Sequence, residues 1–446
     1  MPYLLVVLVS VAITTYGFGI WLDQTESAKA KRALLWGGIA VNTLILVVMK
    51  YLPFLSDNLK TLSTLFSLET QIQPVKAFVA IGVSYYVFQA ISYLFDIYLE
   101  IAKPERHFGY FALYLAFFPK LLQGPIERAD DLLPQFKTKY EFNYDNMRSG
   151  MLLFAWGLFK KVVIADRLAL YVDVVYNDVH AFTGLPLLLA TYAYAFQIYM
   201  DFSGYTDMAL GSARLFNINL TRNFNSPYLA TSVADFWRRW HITFSRWILD
   251  YIFKPLQMQW RNWKNWGTAT ALIVAFIISG IWHGASWGFV IWGGLHGLYM
   301  ACSVFYKPYQ KKLHKTLGVE KTRFLKAWQI FITFNLVSFA WLFFRAASLE
   351  DAWYVVNNLL DISSSYSLIQ STGLSKYLKA NVYMGLGSSQ FISITIFIVA
   401  LNFLRNQDHH KIFNLTLLQR WVVYYLLLIV LWRFHVSNSQ FIYFRF

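Results

Sequence analysis

Apolar runs separated by short polar links recur along nearly the whole chain. Residues 3–21, 33–52, 75–98, 107–118, 151–171, 185–216, 268–281, 287–305, 327–344, 391–404 and 421–434 form such runs. A helix of about 20 apolar residues crosses a hydrocarbon core of about 30 Å. The pattern predicts an all-α, polytopic membrane protein with about ten or more transmembrane helices plus broken or re-entrant segments.

The interruptions are informative. Run 107–118 is short and ends at Pro119, and helices normally stop before a proline. The next residues, LLQGPIERADDLLPQF, carry Gly124, Pro125 and Pro134. A broken segment of this kind persists at membrane depth only where protein or a water-filled cavity satisfies its backbone. Run 151–171 holds Lys160, Lys161, Asp166 and Arg167. It is expected to end or bend at the interface, where lysine stems can snorkel. Gln197, Asp201, Ser203, Tyr205 and Asp207 interrupt run 185–216. Asp201 and Asp207 fall on different helix faces at about 100° per residue, so they are expected to bond neighbouring helices rather than to form an acid–base pair.

Composition agrees with the pattern. The chain is 57% hydrophobic and only 14% charged, against about a quarter charged in soluble domains. No stretch resembles a separate soluble domain, so residues 1–446 are expected to form one integral-membrane unit. The N-terminus, MPYLLVVLVSVAITTYGFGIWLD, lacks a basic region and a small-residue cleavage site, and it reads as a retained span. The net charge of +15 sits in links between spans, which suits cytoplasmic loops better than nucleic-acid binding. The link 307–326 carries Lys307, Lys311, Lys312, Lys315, Lys321, Arg323 and Lys326 and is expected in the cytoplasm. The Ser-rich link 347–390 is expected outside, and 405–420 back in the cytoplasm. Seventeen Trp and 29 Tyr fit belts at the membrane interfaces. Cys302 is the only cysteine, so neither an intramolecular disulfide nor a Cys metal cluster is possible. It follows an apolar run with no evident base, which suits a small buried hydrophobe better than a nucleophile.

Candidate chemistry concentrates between Asp235 and Gly297, in DFWRRWHITFSRWILDYIFKPL and ALIVAFIISGIWHGASWGFVIWGGLHG. An ionisable residue at membrane depth is costly and marks a candidate functional site; His283 and His296 are of this kind. Thirteen residues apart, they would stand about 20 Å apart on one helix. Gly280, Gly284 and Gly288 surround His283 and allow a break there. His296 has a plain alternative as a packed ring bonded to a neighbouring helix. The run FWRRW, with Trp237, Arg238 and Arg239, leads into His241. It also reads as an interfacial amphipathic helix with Asp235 and Arg239 paired at i,i+4. No dinucleotide fingerprint, P-loop, HExxH or nucleophile elbow occurs, and no compact His/Asp/Glu cluster suggests a metal site. A transporter with a histidine pathway is a rival reading, but no inverted pair of broken segments supports it. A non-catalytic scaffold is a further alternative.

Longer strings carry a resemblance. GVSYYVFQAISYLFDIY, FFPKLLQGPIER, GLFKKVVIADRLA, YAFQIYMDFSGYTDMALG, NFNSPYLATSVADFWRRWHITFSRWILDYIFKPL, SGIWHGASWGFVIWGGLHGLY and the terminal FIYFRF resemble the membrane-bound O-acyltransferase superfamily. The likeness is to the branch containing the alginate O-acetylation membrane subunit and the D-alanyl transfer membrane protein of teichoic acid synthesis. Its motif core spans residues 75–300. The match starts almost at Met1, where family members carry one or two further segments, and the link 257–266 is Trp-rich where they are often Gly-rich.

The resemblance implies a site midway along a central tunnel. His283 in WHGAS corresponds to the family's catalytic histidine and His241 in RRWHITFS to its second active-site residue. With Trp282, Trp237, Arg238, Arg239, His296 and Tyr205 as substrate-binding candidates, the expected enzyme is an O-acyltransferase. It would pass acetyl from a cytoplasmic thioester, acetyl-CoA or an acyl-carrier protein, to a hydroxyl outside, with no bound cofactor. The acceptor would be an exopolysaccharide or a periplasmic or extracellular partner enzyme. The expected location is a bacterial cytoplasmic membrane, in contact with its lipid, and D-alanyl transfer is the alternative reaction.

Overall fold

A computed structural model describes residues 2–67, 82–384, 386–403, 416–434 and 441–442. The described residues are helical, with no strand among them. Among the described residues five helices are long and apolar enough to cross a membrane: Tyr3–Gln24, Ala28–Leu65, Arg261–His283, Trp287–Thr316 and Arg323–Arg345. By this criterion the expected ten or more spans are not all established. The shortfall has a physical source. The 30-residue helix Leu185–Arg214 could cross by length, but Asp201, Asp207 and their polar neighbours lower its apolar average.

Packing is inverted relative to a water-soluble protein. Leu5, Val6, Ile13, Leu44, Leu428 and Trp432 are exposed, while Lys120, Lys161, Asp166, Asp201 and three histidines are buried. Large exposed apolar patches mark a surface that meets something other than water, here lipid. Helix Leu185–Arg214 lies at the centre, buried on every side along much of its length. Helix Tyr144–Phe159 crosses it at glycines. A Cβ on Gly157 would sit 2.4 Å from the Gly204 carbonyl oxygen, and one on Gly204 would sit 2.7 Å from that of Gly157. Small residues at a crossing are how helices approach closely without a hydrophobic drive between them.

Among the described residues three helices widen into π turns, at Val47–Tyr51, Lys160–Ala165 and Leu249–Phe253. Each brings charge to an interior partner. Lys160 pairs with Asp207 at 2.6 Å, and Lys161 with both Asp166 and Asp201 at 2.7 Å. Asp250 pairs with Arg128 at 2.5 Å. Run 151–171 therefore bulges within a continuing helix instead of ending, because its lysines find buried aspartates. Asp201 and Asp207 join helices, as their spacing suggests. Asp201 also accepts from the Ile442 backbone N–H at 2.9 Å, and the Phe441 ring lies 4.5 Å from the Lys161 ammonium. Phe441 and Ile442, the described start of the last sequence motif, thus dock against the central helix.

Other boundaries move. Run 33–52 belongs to a helix continuing to Leu65. The basic link 307–326 begins as a helical extension to Thr316. The link 347–390 holds helices Leu349–Asn358, Ile362–Thr372 and Leu374–Asn381. The short run before Pro119 ends as expected: helix Phe108–Ala116 is followed by a 3-10 turn at Phe118–Lys120 and irregular chain to Arg128. Residues 75–81, 404–415 and 443–446, on which parts of three sequence readings fall, lie outside the described residues. Cys302 is exposed, so its reading as a buried hydrophobe is corrected: its position on the helix turns it outward, away from the interhelical contact.

Candidate active site

His283 is the last residue of helix Lys264–His283. The chain then runs extended through Gly284 and restarts a helix at Trp287, capped by the Ser286 side chain accepting from the Gly288 N–H at 3.3 Å. A break therefore falls where the glycines suggested, but the glycines act mainly through space. A Cβ on Gly284 would meet the Phe289 ring at 2.0 Å, one on Gly280 the Phe289 carbonyl oxygen at 2.2 Å, and one on Gly293 the Phe276 carbonyl oxygen at 2.3 Å. The two helices close tightly, and His283 and His296 come to lie on different helices with the Trp292 ring between them, 4.9 and 5.0 Å away.

His241 is reached by another route. It is the residue before helix Ile242–Ile248 and adopts φ 41°, ψ 57°, in the left-handed region. Such a conformation costs of order 1–3 kcal/mol and persists only when its surroundings enforce it. Asn223 does so. Its backbone oxygen accepts from the Ile242 N–H at 3.0 Å, and its side-chain oxygen accepts from the Thr243 N–H at 3.2 Å and hydroxyl at 2.7 Å. The Thr243 hydroxyl oxygen in turn accepts from the Ile126 N–H at 3.0 Å, which ties the loop to the broken segment after Pro119.

His241 and His283 then share neighbours. Phe244 lies 5.0 Å from His241 and 5.7 Å from His283, and Trp282 lies 6.1 and 4.6 Å from them. Phe244 and Trp282 stack on each other at 4.3 Å. All three histidines are buried. His296 accepts at Nδ1 from the Trp237 indole N–H at 3.2 Å, the plain packing reading of that residue, and it also lines the same aromatic cluster.

Of the sequence candidates, the structure brings together His241, His283, His296, Trp237 and Trp282. Tyr205 is half-buried; it faces Phe441 at 5.3 Å, and the Leu122 and Gln123 backbone lies beside its hydroxyl. Tyr85 stacks over His241 at 6.4 Å. Arg238 and Arg239 are apart from the rings. They pair with Asp235 at 3.7 and 2.9 Å, as the i,i+4 spacing suggests, and the Arg238 side chain is 73% exposed.

Sequence reasoning missed Lys50, Tyr51, Tyr85 and Gln123. Lys50 donates to the carbonyl oxygens of Trp282 at 2.8 Å and His283 at 3.0 Å. A lone lysine in an apolar run was the available signal. Tyr85 and Gln123 carried no signal beyond their motifs, since a tyrosine or glutamine in an aromatic run is common.

Buried polar atoms gather here. Both His241 nitrogens, the Tyr85 hydroxyl, the Trp282 indole nitrogen and the Ser279 hydroxyl have no protein partner among the described residues. Ser279 is four residues before His283, hence on the same helix face. Buried polar groups are nearly always satisfied, so such a concentration suits a place that receives a polar molecule. No group of His, Cys, Asp or Glu among the described residues is arranged to hold a metal ion. The chemistry available is that of imidazoles in an enclosed aromatic surround.

Comparison with known proteins agrees. The model of the membrane-bound O-acyltransferase family matches residues 105–349. The chain is 33% identical to the peptidoglycan O-acetyltransferase of Helicobacter pylori over 90% of its own length and 80% of the relative's. It is 34% identical to a probable alginate O-acetylase of Azotobacter vinelandii over 77% of its length, spanning 66% of that relative. It is 26% identical to the teichoic acid D-alanyltransferase of Bacillus subtilis over 69% of its length and 76% of the relative's. With a matching family model over more than half its residues, and its buried histidines inside the matched region, the chain belongs to the membrane-bound O-acyltransferase family and is a membrane acyltransferase.

Proposed function

We propose that this enzyme moves acetyl from a cytoplasmic thioester to a hydroxyl acceptor on the outer side of a bacterial cytoplasmic membrane. The observation that carries the reading is the pair His241 and His283, set across Phe244 and Trp282 beside buried polar atoms that have no partner among the described residues. An unsatisfied buried polar group costs about 1–3 kcal/mol, which a thioester carbonyl and an acceptor hydroxyl would relieve.

In the proposed step, neutral His283 takes the acceptor's proton as the oxygen attacks the thioester carbon. His241 orients the donor or stabilises the developing oxyanion. The intermediate collapses, the C–S bond breaks, and the leaving thiolate takes the proton from His283. The products are an ester and a thiol, with the imidazole restored. The aromatic walls exclude water, which would otherwise hydrolyse the thioester. Trp282, Trp237, His296 and Tyr205 line the path, and exposed Arg238 with Arg239 meets donor phosphates at its rim. The basic stretch 307–326 draws an anionic CoA or carrier protein.

Acetyl is preferred to D-alanyl because the chain is 33–34% identical to relatives named for acetylation and 26% identical to one named for D-alanyl transfer. Relatives named for acetylation of peptidoglycan and alginate support a cell-envelope or exopolysaccharide acceptor, reached directly or through an extracytoplasmic partner. We further infer that the whole chain works as one unit and that helices beyond the five most apolar also cross the bilayer.

The test uses the full-length protein in proteoliposomes with radiolabelled acetyl-CoA on the cytoplasmic side, and alginate oligosaccharides or peptidoglycan glycan strands on the other. Ester-linked label on the acceptor, lost in His283→Ala, is the expected result. Thioester consumption unaffected by His283→Ala overturns the reading.

A further inference from the structure

The helix that ends at His283 leaves its last carbonyl groups without partners inside the helix. Residues more than 200 positions earlier bind them. The Lys50 ammonium donates to the oxygens of Trp282 and His283, and the Tyr51 hydroxyl donates to that of Ile281 at 2.7 Å and Trp282 at 3.3 Å. Both side chains come from the π turn Val47–Tyr51, inside the long helix Ala28–Leu65. Single π turns inside helices are frequent at functional sites.

Two hydroxyl or amide donors would have sufficed to satisfy those carbonyls. A lysine adds charge, and burying charge is expensive. Its ammonium bonds to no carboxylate among the described residues, so the charge is spent on a helix end. That end carries about half a negative charge from the aligned peptide dipoles. The carbonyl oxygen of a thioester under attack becomes negative in the same neighbourhood, and in a low-dielectric surround the two charges repel strongly. A cation at the helix end removes that repulsion and fixes the terminus from which the His283 ring projects.

We propose that Lys50 is a positioning residue for acyl transfer, holding the helix end that bears His283 and offsetting its negative pole beside the reacting carbonyl. This rests on His283 being the base. The transition state gains charge that the bound donor lacks, so losing Lys50 slows kcat and leaves KM nearly unchanged.

The proteoliposome assay with acetyl-CoA decides it, using Lys50→Arg, Lys50→Gln and Lys50→Met. Arg keeps charge and donors, Gln keeps a donor without charge, and Met keeps neither. By analogy with removing one preorganised electrostatic donor, Gln and Met are expected to lose about 10²-fold in kcat with KM within about twofold, and Arg to stay within about threefold. Thermal unfolding in the same lipid checks that the slow variants are folded; where Met does not accumulate, the Gln and Arg pair decides. Wild-type kcat in Lys50→Gln, or Lys50→Arg as slow as Lys50→Gln, overturns the assignment. His283→Ala is run alongside. If it is inactive while Lys50→Gln is fully active, the Lys50 inference alone falls; if it is fully active, the underlying reading falls.

Discussion

His241 and His283 flank one ring: the centroid of Phe244 lies 5.0 Å from the first imidazole and 5.7 Å from the second. Phe244 is itself buried and belongs to a stack with Trp282, Phe88 and Trp247. The Trp247 indole N–H donates to the Phe88 carbonyl oxygen at 3.0 Å, closing the stack against a third helix. The two imidazoles are therefore fixed relative to each other by rigid aromatic surfaces rather than by a bond between them. That arrangement makes their separation a property of the packed core.

Replacing His283 by Ala is expected to lower acyl transfer by about 10²–10⁴, the usual contribution of a positioned general base. Protein level in the membrane and thermal unfolding should change little, since the ring makes aromatic contacts that its neighbours can close over. Transfer rate per folded molecule is the measurement, and a rate equal to wild type removes His283 from the mechanism.

His241 separates a role of the ring from a role of the backbone. Asn tolerates the left-handed region that this residue occupies, and β-branched residues do not. His241→Asn should fold normally and lose transfer, whereas His241→Val should also lose about 1–3 kcal/mol of stability from backbone strain. Comparing thermal unfolding of the two variants tests this. Equal stability of Asn and Val would show that the strain assigned to φ 41° has no energetic weight.

The contrast between histidines and lysine shows what sequence alone could carry. His283 and His296 stood out because imidazoles are rare in long apolar runs, and His241 through the resemblance carried by RRWHITFS. The helix break after His283 was legible from its glycines, although their tight contacts with Phe289 and with the facing helix are tertiary facts. Lys50 has the same kind of signal but lies 233 residues from His283. Only the fold shows which helix end it meets. Arg238 and Arg239 illustrate the reverse: near His241 in sequence, they turn to Asp235 instead, as the competing interfacial-helix pattern implied. The span count was the least legible feature. Polar side chains such as Asp201 and Asp207 pair inside the protein, so the apolar average of a helix understates how well it is shielded.

Asp201 should hold the C-terminal segment as well as the helix bundle. It accepts from Lys161 at 2.7 Å and from the Ile442 N–H at 2.9 Å. Removing one partner of a buried ion pair typically costs about 3–5 kcal/mol. Asp201→Ala should therefore unfold at lower temperature, and a protease site placed after Phe446 should be cut faster than in wild type. Unchanged cleavage and unfolding would mean that Asp201 anchors neither.

Orientation follows from charge. The helical extension beyond Phe305 and its continuation carry Lys307, Lys311, Lys312, Lys315, Lys321, Arg323 and Lys326, and moving such a cluster across a membrane is disfavoured. We expect this stretch in the cytoplasm, the side from which an anionic thioester would arrive. Cysteine accessibility can test it, but exposed Cys302 would report as well, so Cys302→Ser is the required background. That change should itself keep transfer near wild type, because the proposed step passes acetyl from thioester to hydroxyl without a protein thiol. In that background a cysteine at Lys312 should resist an impermeant maleimide in intact cells and react once the membrane is opened, while one at Ser371 should react from outside. Labelling of the Lys312 position in intact cells would invert the membrane orientation, and with it the direction proposed for the acyl group.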